Sequence, residues 1–260
     1  MNLLYSQQDD VLVNRNQIAL MSTPEPMGRF HSPYPFAQYI DDVDLALKNT
    51  GLRIVDEEYA VTKDHNRMFG LMEIAPLEGD LIQSKDWTIT VGLRGSHDQR
   101  IPRGMVLGTS VLVCSNLCFH GNIANFATKQ TINIAARLPE LIREAVTHIP
   151  QMAEKQETVF NRYKVAQFQP NYGDQMLVEL YRQGAFASPQ LTTAIDEWHA
   201  PSYERHTEHD RDDGKWSAWR LFNACTEALK PTGNTTNMVT IEQRSRKVSD
   251  YLNDCVAIAA

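Results

Sequence analysis

Apolar positions in this chain follow the period of strands up to about Lys129 and, apart from one early helix, the period of helices only after it. From Leu52 to Ala75, the β-prone segments RIVDEEYAV and RMFGLMEIA flank the turn-rich Lys63-Asp64-His65-Asn66, which predicts a hairpin. Trp87, Ile89, Val91 and Leu93 then alternate with Thr88, Thr90, Gly92 and Arg94, the pattern of a strand with one buried face. Val111 to Cys114 is a short apolar run between Gly108 and Asn116, which reads as a strand buried on both faces. A second hairpin over 87–114 follows, and its loop region holds Arg94, His97, Asp98, Arg100 and Arg103.

Phe36, Tyr39, Ile40, Val43 and Leu47 recur at helical spacing, with Gly51 placed as a C-cap. After Lys129, Ile134, Leu138, Leu141, Ile142, Ala145 and Ile149 repeat at three and four, in a helix that Pro139 either interrupts or begins. Further helices are predicted over Gln151–Phe168, over Asp174–Gly184, from Ser188-Pro189 onward, over Trp216–Leu229 and over Met238–Val256. Four prolines between Met21 and Pro35 make residues 1–35 an irregular arm, and the charged run Ser202–Lys215 reads as a mobile loop. These elements predict an α+β fold: an antiparallel sheet built from hairpins in the N-terminal half and helices in the C-terminal half. One domain is expected over 36–260, sheet-rich over 36–125 and helix-rich over 126–260.

Composition narrows the class. The chain has 260 residues, 42% of them hydrophobic, enough for a packed core. No apolar run is long enough to span a bilayer, and Met1 to Asp10 lacks the basic start and apolar core of a signal peptide, so a cytoplasmic location is expected. The net charge of −7 argues against a polyanion partner until the chain is divided: residues 1–90, 91–165 and 166–260 carry −7, +4 and −4. A local positive field, rather than net charge, is what binds a polyanion, although uneven charge also describes an ordinary solvated face.

The loop arginines have two readings: phosphate contacts, or partners of Asp98 and Asp86 in a structural network. His97 and Asp98 are adjacent and lack a nucleophile at motif spacing, which makes a poor catalytic dyad. Cys114, Cys118 and His120 are zinc-ligand types without a fourth ligand or a second pair, so they read as core thiols, and His206, His209, Asp210, Asp212 and Asp213 read as a solvated loop. No phosphate loop or dinucleotide fingerprint is present, so neither metal, cofactor nor enzymatic activity is expected. What remains is cations near aromatics: Arg94, Arg100 and Arg103; Arg162 and Lys164 around Tyr163; Arg244, Arg246 and Lys247 before Tyr251. That combination suits single-stranded nucleic acid, with a positive track for the backbone and rings for the bases. Tyr163 and Tyr251 are the stacking positions, while Trp87, Phe119, Phe160 and Phe168 read as core.

The segments VGLRGSHDQ (Val91 to Gln99) and VLVCSNLCFHG (Val111 to Gly121) resemble a phage- and plasmid-borne family that shares a GLR-x-SHD segment followed by V-x-V-C-x-N. TKQTINIAARLPELIREAV, WSAWRLFNACTEALK and QRSRKVSDYL look like its later blocks, so the resemblance covers about Trp87 to Leu252. Gln130 stands where relatives often have histidine. More narrowly, the chain is similar to the single-stranded-DNA-binding RNA polymerase cofactors of podoviruses that carry a giant virion RNA polymerase. That similarity implies binding of single-stranded DNA, recruitment of the phage RNA polymerase to promoters in early or middle transcription, residence in the infected host's cytoplasm, and a fold that is not an OB-fold. It carries over no functional residue.

A non-enzymatic single-stranded-DNA-binding transcription cofactor is therefore expected, with homo-oligomers allowed and no membrane partner. Two other readings stand beside it. One is an inhibitor or DNA mimic that presents its acidic segments to a basic host protein; the other is a metal-dependent nucleic-acid-processing enzyme using His97, Asp98 or the Cys114, Cys118 and His120 cluster.

Overall fold

In the computed structural model of the protein, residues 10–78, 86–111, 116–119, 126–230 and 238–259 are described. They form an α+β fold. Strand β1 (Asp10–Val13), helix α1 (Arg15–Ala19) and helix α2 (Phe36–Asn49) precede the hairpin of β2 (Leu52–Thr62) and β3 (Arg67–Pro76). Strands β4 (Trp87–Ser96), β5 (Arg103–Val111), β6 (Asn116–Phe119) and β7 (Phe126–Thr128) follow. Strands β1 to β6 neighbour one another in chain order, and β7 pairs with β5, so the described sheet is an open meander.

The first hairpin turns at 63–66 as its alternation and turn residues dictate, with His65 at φ 55° and the side chain of Asp64 accepting the Asn66 N–H. Tyr59 lies opposite Gly70, and a Cβ on Gly70 would come within 2.8 Å of its ring. The glycine lets the tyrosine lie flat across the neighbouring strand. Strand β4 departs from the one-faced expectation: Thr90 and Gly92 are buried along with Ile89, Val91 and Leu93, because this interior strand has small residues on its second face. The N-terminal arm is also more ordered than its prolines suggest. Residues 10–13 add an edge strand to β2, and Arg15 bonds Glu57 at 2.7 Å and Asp44 at 3.3 Å, tying α1 to β2 and α2.

Helices α3 (Ile134–Thr147) and α4 (Ile149–Val165) are separate, broken at His148. Pro139 lies inside α3, where the carbonyl its missing N–H would have engaged belongs to the exposed Ala135. After strand β8 (Gln167–Phe168) come α5 (Pro170–Arg182), α6 (Ser188–His199), strand β9 (Trp216–Ser217), α7 (Ala218–Ala228) and α8 (Met238–Ala259).

The described residues group into two compact units, and neither is a contiguous half of the chain. The first takes 10–78, 88–108 and 126–152; α2 packs there on β2 and α3, burying Phe36, Tyr39, Ile40, Val43 and Leu47. The second takes 86–87, 109–111, 116–119, 153–230 and 238–259, and its centre is aromatic. Phe160 meets Trp219 and Phe222 with ring centroids 5.1 Å apart and Trp87 at 5.8 Å. Among the described residues, no helix is long and apolar enough to cross a membrane.

Candidate nucleic-acid interface

In the second unit, the C-terminal end of α4 opens onto a groove of about 840 Å³. Strands β8 and β9 build its far side. Gln167 pairs with Ser217 and Phe168 with Trp216, and Ala218 N donates to Ala166 O at 2.9 Å, so the segment before β9 returns alongside α4. Its last residues form a tight turn: Arg211 N donates to Lys215 O at 2.9 Å and Gly214 N to Arg211 O at 3.2 Å, with Gly214 at φ 81°. This turn brings Arg211 and Lys215 to the groove opposite Arg162. The rest of the lining includes the amides Asn161, Gln167 and Gln169 and the aliphatic Val165 and Val256, with no carboxylate among the described residues. Val165 is 73% exposed. Lys215 lies 3.5 Å from Asp213 outside the lining, while Arg162 and Arg211 make no ion pair with a described residue.

The sequence singles out Arg162 among the groove's cations, but not Arg211 and Lys215. They sit within Ser202–Lys215, whose composition suggested a mobile loop, yet the segment is tied down. Glu197 accepts from Ser202 N at 3.0 Å, Gln167 Nε2 donates to His209 O at 2.8 Å, and Asp210 accepts from Ser217 N at 2.8 Å and Arg220 Nη1 at 2.7 Å. Arg220, a lone cation in an otherwise apolar stretch of α7, was the available signal for an anchor.

The other sequence-predicted residues are not gathered at this groove. Tyr163 is buried and donates to Asn253 Oδ1 at 3.0 Å, so its ring is core and presents no face to a base. Lys164 bonds Asp86 at 2.5 Å beside the Trp219 ring, so Asp86 pairs with this lysine and not with a loop arginine as the structural-network reading had it. Arg244 donates to Gln190 at 2.6 Å and Lys247 to the Gln183 carbonyl at 2.8 Å, while Arg246 is half-buried. Tyr251 is half-buried and engages Cys255, and burial raises its pKa.

In the first unit Arg100 is 75% exposed at the tip of the β4–β5 hairpin, 3.7 Å from Asp98. Arg94 is half-buried beside Gly104. Arg103 is a correction: the loop was expected to leave its guanidinium groups to solvent or an anion, but this one is fully buried, with its carbon 4.3 Å from the Phe36 ring centroid. Burial lowers its pKa to about 10. His97 and Asp98 are neighbours with separate partners. The His97 ring packs 4.1 Å from Phe36, and burial, reinforced by Arg103 and His31, lowers its pKa to about 4. Asp98 accepts from Arg67 Nη2 at 3.0 Å and Arg100 N at 3.1 Å; burial opposes its ionisation, but these bonds and one from Ser96 hold it below the usual carboxylate range. Gln130 accepts the Tyr34 N–H at 2.7 Å and donates to Ser96 O.

Cys114 and His120 lie outside the described residues, as does the side chain of Cys118 in β6. Among the described residues, no group of three His, Cys, Asp or Glu side chains is placed to hold a metal ion. No protein family matches the chain, and neither curated proteins nor solved structures match it beyond chance.

Proposed function

We propose that the protein binds single-stranded DNA along the groove of its second unit and serves as a phage transcription cofactor that recruits the phage RNA polymerase. The observation that carries the binding reading is a groove lined by Arg162, Arg211 and Lys215 with three amides and, among the described residues, no carboxylate, in a chain of net charge −7. Three cations around one groove attract a phosphate track by releasing its counterions, and Asn161, Gln167 and Gln169 offer donors and acceptors to exposed bases or sugars. No aromatic residue among those described lines the groove, so affinity comes from phosphates and amides more than from stacking. Recruitment of the polymerase, and action in the cytoplasm of an infected host, rest on the resemblance of the 87–252 blocks to the podoviral cofactors.

The test is the affinity of the whole chain for labelled single-stranded and duplex oligonucleotides at two salt concentrations. With three phosphates neutralised, the log–log slope for the single strand is expected near −2, a loss of roughly fifteen-fold for a four-fold rise in salt. Replacing Arg162 and Arg211 by alanine should flatten that slope to about −0.7. A salt-insensitive affinity, or equal affinity for the duplex, sinks the proposal. A chain that retards no DNA at all leaves the acidic mimic as the better reading.

A further inference from the structure

A buried guanidinium keeps its charge, so it calls for an anion within reach. Arg103 has none among the described residues: the side chains facing it are the neutral Tyr39 phenol and the Phe36 ring. Its Nη2 donates to Tyr34 O at 2.5 Å, whereas Nε and Nη1 have no hydrogen-bond partner among the described residues. The side chain is held in that state by its surroundings. It lies flat on Gly95, where a Cβ would approach its Cδ to 2.5 Å and its Nη1 to 3.0 Å, and faces the rings of Phe36 and Tyr39.

Two imidazoles beside it share the deficit. His97, 3% exposed, packs on the same Phe36 ring, and its Nδ1 has no partner among the described residues. His31, 6% exposed, accepts the Met27 N–H on Nδ1 at 2.9 Å, which leaves its proton on Nε2; that N–H is also without a partner there. The charge of Arg103 acts on His97, as does His31 whenever it is protonated, so the three groups share one electrostatic neighbourhood. Buried donors are ordinarily satisfied. Several unsatisfied N–H donors around a fixed positive charge complement a small oxyanion with several acceptor atoms, because Asp98, the acid next to His97, spends its carboxylate on Arg67 and Arg100.

His31 also shows how such an ion would enter. It belongs to the proline-rich strap, which is held over the cluster by Tyr34 N and Ser32 N bonding Gln130 at 2.7 and 3.3 Å and by a bridge from His31 to Thr131. Met27 and Phe30 are largely exposed while Tyr34 is in the core, so the segment around His31 can lift with Tyr34 as its anchor and uncover little core. We infer that Arg103, His97 and His31 form a strap-covered site for a phosphate-class oxyanion, supplied either as free phosphate or as the terminal phosphate of a nucleic acid. The site belongs to the first unit and is independent of the groove proposed for DNA.

The experiment is thermal unfolding of the full chain in inorganic phosphate against chloride of equal ionic strength, with the imidazole resonances followed by NMR. Saturating phosphate is expected to raise Tm by several degrees and to move the His31 and His97 resonances along one binding curve. Arg103→Met should abolish both effects. If that variant fails to fold, the strap variants decide: His31→Phe, which lacks a donor, should weaken phosphate at least five-fold, while His31→Gln keeps an N–H and most of the affinity. Oligonucleotides with and without a 5′-phosphate separate the sources, since a preference for the phosphorylated end that disappears in Arg103→Met assigns the terminal group. Stabilisation by free phosphate with no such preference assigns the free ion. No phosphate-dependent shift, or an equal shift in Arg103→Met, overturns the inference and makes the cluster a hydrated structural one. Replacing Arg162 and Arg211 leaves the phosphate effect intact, so failure of the groove and failure of this site are told apart.

Discussion

Arg220 in the second unit and Arg103 in the first are both buried and both lie against aromatic rings, yet their guanidinium groups meet different surroundings. Arg220 spends its donors on the Trp198 carbonyl at 2.8 Å, the His199 carbonyl at 3.1 Å and the Asp210 carboxylate at 2.7 Å, with Trp216 at 3.8 Å from its carbon. Arg103 has one carbonyl and two idle nitrogens among the described residues. The contrast separates two uses of a buried charge. A satisfied one fastens chain segments together; an unsatisfied one is held by its neighbours in a state that a ligand would relieve.

The largest expected effect breaks the satisfied member. Arg220→Met leaves the Asp210 carboxylate and two carbonyls without their donor, and urea denaturation should register a loss of about 3–5 kcal/mol. Arg103→Met in chloride should show no comparable loss, because no carboxylate is orphaned. A small loss at Arg220, under about 1 kcal/mol, would mean that the aromatic contacts alone hold the 199–217 segment and would erase the contrast.

Acid provides the next test, since each unit contains a buried histidine near its arginine. His97 and His206 are both lowered from 6.5 to about 4, His97 by burial and then Arg103, and His206 by burial with Lys230 and Arg220 adding to it. Between those values the unfolded chain binds more protons than the folded one. Stability is therefore complete above pH 6.5 and falls as the pH drops towards 4, on the order of 2 kcal/mol for each histidine. The urea midpoint at pH 7 and at pH 4.5 checks the sum, and an NMR titration of Arg103→Met, in which the His97 pKa should rise, checks the share due to Arg103. An unchanged His97 would leave burial and His31 as the causes.

The smallest effect sharpens the picture of how Arg103 is seated. Gly95→Ala forces a Cβ to within 2.5 Å of the Arg103 Cδ, and the shift needed should cost about 1–2 kcal/mol. Most of that cost should vanish in an Arg103→Ala background, a coupling that a double-mutant cycle measures.

The same contrast explains what could be read from the residues beforehand. The β2–β3 hairpin and α2 were legible because period, turn chemistry and capping all favour one local answer. The fate of each arginine was not, since composition treats every guanidinium as a surface group. Glycines inside strands were the missed sign: Gly95 beside Arg103 and Gly104 beside Arg94 mark places where a long side chain lies on backbone. Tyr163 was read as a stacking platform from its polar neighbours, but helical geometry turns it towards Phe160 and Phe222 while Arg162 remains outside. The groove was half legible. Arg162 could be picked out alone, whereas its meeting with Arg211 and Lys215 depends on the short β8–β9 pairing, and two-residue strands leave no periodic trace.

The way the two units share the chain bears on how the protein is made. Read from the N-terminus, the described segments pass from one unit to the other five times, the last passage falling inside α4 between Met152 and Ala153. During synthesis the first unit is incomplete until α3 and the opening turn of α4 have emerged, and by then the ribosome has already released 86–87, 109–111 and 116–119, which must wait for partners not yet translated. No single cut of the gene yields either unit whole. A deletion from either end therefore removes part of a unit that the rest of the chain still needs, and separating the two functions calls for point substitutions rather than fragments.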